Sequence, residues 1–226
     1  MAYTPQPERV CGAAARSCVS RKGASELAGA PREKLVSALR KAIGKGHLSV
    51  VEHASFTFSL EGISRACSHQ LVRHRIASYS QQSQRHVKLG RASCVVPPSI
   101  SGNPEALGAF VKALNAAMEC YERLLELGVP LEDARYLLPN AAPTNLVVTM
   151  NARELLHFFE LRCCTHAQWE IREVAWEMLR KVKEVAPELF GRAGPPCVSK
   201  GVCPENDPSC PLYERNVKFK EAPILP

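Results

Sequence analysis

The chain has 226 residues, 46% hydrophobic, 23% charged and 6% aromatic, with a net charge of +7. That length can bury a substantial core, and that composition excludes collagenous, mucin-like and wholly disordered chains. The positive balance admits nucleic acid, anionic lipid or a phosphorylated small molecule as partner, and only the placement of charge can choose among them. No apolar stretch is long enough to cross a bilayer, and the opening MAYTPQPERVCG lacks the apolar centre of a secretion signal, so a cytoplasmic protein with no membrane partner is expected. The ten cysteines then read as reduced thiols rather than a secreted disulfide scaffold.

Residues 1–30 hold Cys11, Cys18 and a short helix through ASELAG, and read as an edge element. Pro31 suits the first turn of a helix, and PREKLVSALRKAIGKG sets Leu35, Ala38, Leu39 and Ile43 on one face. In SFTFSL, Phe56, Phe58 and Leu60 alternate with polar residues as in a half-buried strand. A helix from about Ile63 to Arg73 is expected next, with Ala66, Cys67 and Leu71 inward, and then a polar region without periodicity up to Pro97 and Pro98. Function is expected in that region, because binding groups sit on loops held by rigid elements.

Asn103 and Pro104 introduce a long amphipathic helix with Leu107, Phe110, Val111, Leu114, Met118, Tyr121, Leu124 and Leu125 on its apolar stripe, stopped at Gly128. LEDARYLLP predicts a shorter helix, PTNLVVTM an extended apolar segment and NARELLHFFELR a helix. HAQWEIREVAWEMLRKVKEVAPELF predicts another, with Ile171, Val174, Met178 and Val182 in register. The expected fold class is α+β, a mostly helical single domain with a small central β-sheet over residues 1–190, followed by a cysteine- and proline-rich tail over 191–226.

Between Glu61 and Glu105 there is no acidic residue, while Arg65, Arg73, Arg75, Arg85, Lys88 and Arg91 supply positive charge. Arg73, His74, Arg75, Ser78, Ser83 and Arg85 combine guanidinium forks with hydroxyls, a set suited to phosphate oxygens. A phosphate or nucleotide site, a nucleic-acid backbone contact and a solvated basic face all remain open on composition. Tyr79 stands almost alone as a stacking residue, which disfavours single-stranded nucleic acid. No glycine-rich dinucleotide loop or Walker-type loop is present. Arg135 and Arg162 sit in apolar surroundings and need a carboxylate, a carbonyl or a ligand, so each is either a structural ion pair or a recognition group.

The histidines form no HExxH spacing, and no cysteine stands beside an evident histidine base, so neither a catalytic metal nor covalent catalysis is expected. Adjacent Cys163 and Cys164 read as buried thiols. Cys197, Cys203 and Cys210 leave three readings open: free thiols, a disulfide, or part of a structural metal site completed by Cys11 or Cys18.

RHRIASYSQQSQRH, residues 73–86, resembles the signature of the flavin-dependent thymidylate synthases. That signature runs RHR, two residues, Ser, one residue, usually Asn, then commonly Glu, one residue, Ser, one residue and Arg. The resemblance continues through GHLSVVEHASFTF, EDARYLLP and NARELLHFFELRCCTHAQWEI, covering roughly residues 31–190 in order. It implies reductive methylation of dUMP to dTMP with non-covalent FAD, NADPH as reductant and methylenetetrahydrofolate as carbon donor, releasing tetrahydrofolate. It also implies a homotetramer with shared sites, no cysteine nucleophile and no nucleic-acid partner. An alternative within the same fold is a nucleotide-binding flavoprotein that has lost methyl transfer.

Carried over residue by residue, the resemblance implies that Gln70, Arg73, Gln81, Gln82, Ser83, Gln84, Arg85, Arg135 and Arg162 receive dUMP. Arg85 and the backbone around Ser83 would hold the phosphate, and Arg162, at the uracil carbonyl and N3, would be the catalytic group. His47, Ser49, Arg73, His74, Arg75, Asn151, Arg153, His157 and His166 resemble flavin-side positions, with His53 near the folate or flavin edge. The chain departs from the pattern at Ser80 (usually Asn), Gln81 (commonly Glu), His86 (commonly Tyr) and His157 (Asn in some members). Gln81 removes a negative charge close to the substrate phosphate.

Overall fold

The computed structural model describes residues 1–90 and 94–217, so Arg91 and the last nine residues of the expected tail lie outside the described chain. The chain opens with β1 (Ala2–Tyr3), α1 (Pro7–Ser17), α2 (Ala24–Ala28) and α3 (Arg32–Gly44), then a 3-10 segment at Leu48–His53. There follow β2 (Ser55–Ser64), α4 (Arg65–Leu71), β3 (Ala77–Gln81), α5 (Pro98–Ser101) and α6 (Pro104–Glu126). After α7 (Leu131–Ala134) and a 3-10 turn at Arg135–Leu137 come β4 (Pro143–Asn151), α8 (Ala152–Arg162), α9 (Trp169–Val185), α10 (Pro187–Phe190), α11 (Pro196–Ser199) and α12 (Tyr213–Asn216). The strands form a four-stranded sheet in the order β1-β2-β4-β3, with β1 antiparallel to β2 through Ala2 opposite Thr57 and Tyr3 opposite Phe56. The architecture is the expected α+β one, mostly helical with a small sheet.

Four local readings change. The strand predicted at residues 55–60 continues to Ser64, and the helix expected from Ile63 begins at Arg65, because Ser64 is its N-cap and accepts the Cys67 N–H at 2.9 Å. The region read as aperiodic contains β3, whose burial alternates residue by residue; its inward positions are Ala77, Tyr79 and Gln81, so the alternation carries little hydrophobic signal. Pro31 is the N-cap of α3 and not its first residue. Residues 1–30 are more than an edge: β1 is an edge strand, but α1 is packed on α3 so tightly that a Cβ on Gly12 would stand 2.6 Å from the Leu35 carbonyl oxygen.

The chain groups into two compact units, one of Met1–Phe58, His74–Ser78 and the described part of Thr149–Pro226, the other of Ser59–Arg73 and Tyr79–Val148. The first holds a ladder of aromatic contacts, each ring meeting the next: Tyr3, Phe56, Phe190, Phe159, Phe158 and finally His74. α8 and α9 contribute Leu155, Ile171, Ala175, Met178, Leu179 and Val182, all buried. Pro187 follows the end of α9 and opens the single turn of α10, where the sequence pattern suggested one continuous helix.

The second unit is centred on Met118, Tyr121 and Ala134, with Leu114, Leu124, Leu125, Leu131 and Leu138 packed around them. Only Met118 and Tyr121 of the predicted α6 stripe are fully buried, and Val111 is 41% exposed. In the amino-terminal half of that stripe Leu107, Phe110 and Leu114 are half-buried, and Val111 is left exposed.

Candidate active site

The residues singled out from the sequence divide between the two units. His47, Ser49, His74, Arg75, Asn151, Arg153, His157, Arg162 and His166 belong to the first; Gln70, Arg73, Gln81, Gln82, Ser83, Gln84, Arg85 and Arg135 belong to the second.

In the first unit, β4 runs directly into α8 because Asn151 caps the helix, its Oδ1 accepting the Glu154 N–H at 2.9 Å. Glu154, Phe158 and Arg162 then recur at every fourth residue and share one face of α8. His74 lies on that face, 4% exposed, with its ring edge-on to Phe158 at 4.9 Å and to His157 at 5.7 Å. Arg162 Nε donates to His74 Nε2 at 3.1 Å, and His74 Nδ1 stands 3.2 Å from Glu154 Oε1. A guanidinium has no acceptor, so Nε2 must offer its lone pair and the ring proton must lie on Nδ1, where it is donated to Glu154. Burial, with Arg162 and His157 nearby, holds the His74 pKa down to about 4, and burial also raises that of Glu154. At neutral pH His74 is therefore an uncharged imidazole fixed in one tautomer, and it orients Arg162.

Around this relay, Arg75 is exposed and His157 is exposed on α8. Arg153 pairs with Glu52, and His166 Nε2 contacts Asp207 of the tail at 3.0 Å. His47 and Ser49 line a cavity of about 580 Å³ together with Arg16, Lys34, Lys41 and Lys45, and no acidic residue lines it. The predicted His53 ends the 3-10 segment. Burial pushes the thiols of Cys11 and Cys163, the latter next to Arg162, up to about 12, which disfavours either as a nucleophile.

In the second unit, β3 presents Gln81, whose Nε2 donates to Ser68 Oγ at 2.9 Å and Thr144 Oγ1 at 3.3 Å. The Gln82 N–H is bonded to the Asn145 carbonyl, which holds the chain as it leaves the strand. Ser83 then turns it, its Oγ accepting the Arg85 N–H at 3.2 Å and its carbonyl accepting the N–H groups of His86 and Val87. Arg85 meets Glu132 through Nε at 2.8 Å and Nη2 at 2.7 Å, and Arg135 Nε donates to the Glu132 carbonyl at 3.0 Å. Burial, aided by the charge of Arg135, lowers the pKa of Arg65. Arg85 thus pairs with the Glu132 carboxylate, Arg135 with its backbone carbonyl, and Arg65 lies within electrostatic reach of Arg135, an excess of positive charge that favours an added anion. Gln70 lies on α4 and Arg73 just beyond it, exposed. Gln84 is half-buried in the turn.

Glu154 and Glu132 were not among the residues picked from the sequence, and Arg65 was counted there only as part of the positive segment. The Glu154 to Arg162 interval of two helical repeats was a usable signal; Glu132 lay only three residues from Arg135, a spacing common in any surface helix.

The family profile described as "Thymidylate synthase complementing protein" matches residues 1–188. A flavin-dependent thymidylate synthase of Geobacter sulfurreducens is 54% identical over 215 residues, covering 92% of this chain and 90% of the relative. This chain belongs to the flavin-dependent thymidylate synthase family. Another such synthase, from Clostridium tetani, is 46% identical over 225 residues, covering 92% of this chain and 90% of that one. Among solved structures, the UMP/dUMP methylase PolB of Streptomyces cacaoi, bound with 5-Br dUMP, superposes with a TM-score of 0.73 at 25% identity, over 84% of this chain and 91% of that one. Among the described residues, no helix of this synthase family member is long and apolar enough to cross a membrane.

Proposed function

We propose that the chain converts dUMP to dTMP by flavin-dependent reductive methylation, with methylenetetrahydrofolate as carbon donor and NADPH as reductant, releasing tetrahydrofolate. Arg162 is the catalytic residue of this reading. The observation that carries it is the Arg162–His74–Glu154 relay: a guanidinium held at one atom by a neutral, buried histidine. Held so, Arg162 polarises a uracil carbonyl and favours electron density at C5, where the methylene carbon is received. Arg85 and Arg135 take the dUMP phosphate, Arg85 exchanging its exposed Glu132 partner for phosphate oxygens.

The residues present fit an anionic dinucleotide: Arg75 and Arg73 are exposed cations without an ion pair among the described residues, and the cavity at His47 and Ser49 is bordered by four more cations. These groups, with Arg153 and His157, would hold FAD, which would relay the reducing equivalents taken from NADPH. The protein's part is to bind, orient and exclude water. A homotetramer belongs to the proposal; the exposed Val111 on the α6 stripe supports it.

The test is labelled dTMP formation under anaerobic conditions, omitting dUMP, methylenetetrahydrofolate, FAD and NADPH in turn. Product that requires all four supports the reading. Flavin-bound protein that yields no dTMP overturns it in favour of a nucleotide-binding flavoprotein.

A further inference from the structure

The tail beyond α10 has only single helical turns among its described residues, yet it is seated against the first unit by a particular set of bonds. α11, which carries Cys197, packs on α8, and Cys164 follows that helix by two residues. Cys210 Sγ lies 3.1 Å from Thr165 Oγ1, the residue next to Cys164. The Val202 N–H bonds to the Pro196 carbonyl at 3.4 Å, joining the neighbours of Cys203 and Cys197, and Gly201, at φ +75°, makes the left-handed turn that closes this loop. Cys210 is thereby tied to the neighbour of Cys164, and the neighbours of Cys203 and Cys197 to each other, with α11 on α8 joining the two pairs.

Electrostatics agree with this placement. Burial raises the pKa of Cys197, and the thiols of Cys203, Cys210 and Cys164 raise it further. Cys11 and Cys18, the fourth ligands considered from sequence, do not belong to the group: Cys11 is buried in α1 with its Sγ 3.9 Å from the Val51 carbonyl, and Cys18 is exposed at the end of that helix. The fourth member is Cys164.

We propose that Cys164, Cys197, Cys203 and Cys210 form a tetrathiolate site for one zinc ion that staples the tail to the carboxyl end of α8, next to Arg162. Four sulfur ligands from a loop-rich segment and a helix end match structural zinc chemistry, in which each thiol gives up its proton to bind at about 2.3 Å. Among the described residues, no group of three or more His, Cys, Asp or Glu side chains is placed so that it could hold a metal ion. Closing the site therefore requires these thiols to move together; Cys164, Cys203 and Cys210 are half-buried and Cys197 is buried. The contact of His166 with Asp207 reinforces the same junction. This inference is independent of the proposed reaction.

The experiment is metal analysis of the full chain purified without chelator, with zinc, iron and acid-labile sulfide measured on the same sample. About one zinc per chain is expected, released in step with titration of four thiols by a mercurial. The double variant Cys203→Ser, Cys210→Ser should lose at least about five-fold of that zinc, while Cys18→Ser retains it. Should the double variant fail to fold, the mercurial titration of the unmodified chain still decides. Absence of metal, iron with labile sulfide, or two disulfides among these cysteines found by alkylation without reductant would each overturn the proposal.

Discussion

The arginine of the first unit and those of the second are held in opposite ways. Arg162 is partly buried and hydrogen-bonded to a histidine that is itself buried, neutral and anchored on a buried carboxyl. Arg85 is exposed and Arg135 half-buried, and their shared partner Glu132 is exposed. A buried, fully bonded network fixes direction, whereas an exposed pair exchanges partners at little cost. The contrast predicts that the first group governs turnover and the second governs affinity.

Removing Arg162 should break the contrast most severely. Arg162→Ala should lower kcat by about 10²–10³-fold with flavin still bound, as measured by anaerobic dTMP formation. Arg162→Lys should recover little, because the three donors of a lysine radiate from one nitrogen and lack the planar fork that donates to His74 from one nitrogen and to substrate from another. Arg85→Ala should raise the KM for dUMP by about 10–100-fold with a smaller effect on kcat, the loss of a charge-assisted phosphate contact.

His74 sharpens the same comparison through pH. Its pKa falls from 6.5 when unfolded to about 4 when folded, so the unfolded chain binds the proton first as pH drops. Stability is unaffected by this group above about pH 6.5 and declines by about 3 kcal/mol on going to pH 4, below which both states are protonated. Urea midpoints measured across that window should show the decline, and His74→Gln should flatten it. Gly12→Ala tests packing away from the site: the added Cβ would press on the Leu35 carbonyl oxygen at 2.6 Å, lowering stability by about 1–3 kcal/mol in urea while leaving kcat unchanged. The smallest effect is expected for Glu132→Gln, which removes the anion competing for Arg85; the dUMP KM should fall by about two- to five-fold in low salt and return toward normal in high salt.

Most helices and the two longer strands were legible because their apolar periodicity is strong, as in α9 with Ile171, Met178 and Val182. β3 was not legible, because its inward positions include a glutamine and a tyrosine whose bonds are polar: Gln81 to Ser68 and Thr144, Tyr79 to the Leu71 carbonyl. The packing of α1 was hidden for a related reason, since Gly12 and neighbouring alanines give little hydrophobic signal yet allow close approach to α3. The signature pointed to the arginines, but not to what holds them. Glu154 and Glu132 are identified by distance, and Thr165, beside Cys164, meets Cys210 across 45 positions of sequence, a proximity that spacing rules for metal ligands do not anticipate.

The division of labour between the two groups is tested most directly by measuring kcat and the dUMP KM of Arg162→Ala and Arg85→Ala in one anaerobic labelled-dTMP assay, with flavin content checked for each. The account predicts that Arg162→Ala loses kcat with a nearly unchanged KM and that Arg85→Ala does the reverse. Turnover by Arg162→Ala at close to the unmodified rate, or loss of the same parameter in both variants, would contradict it.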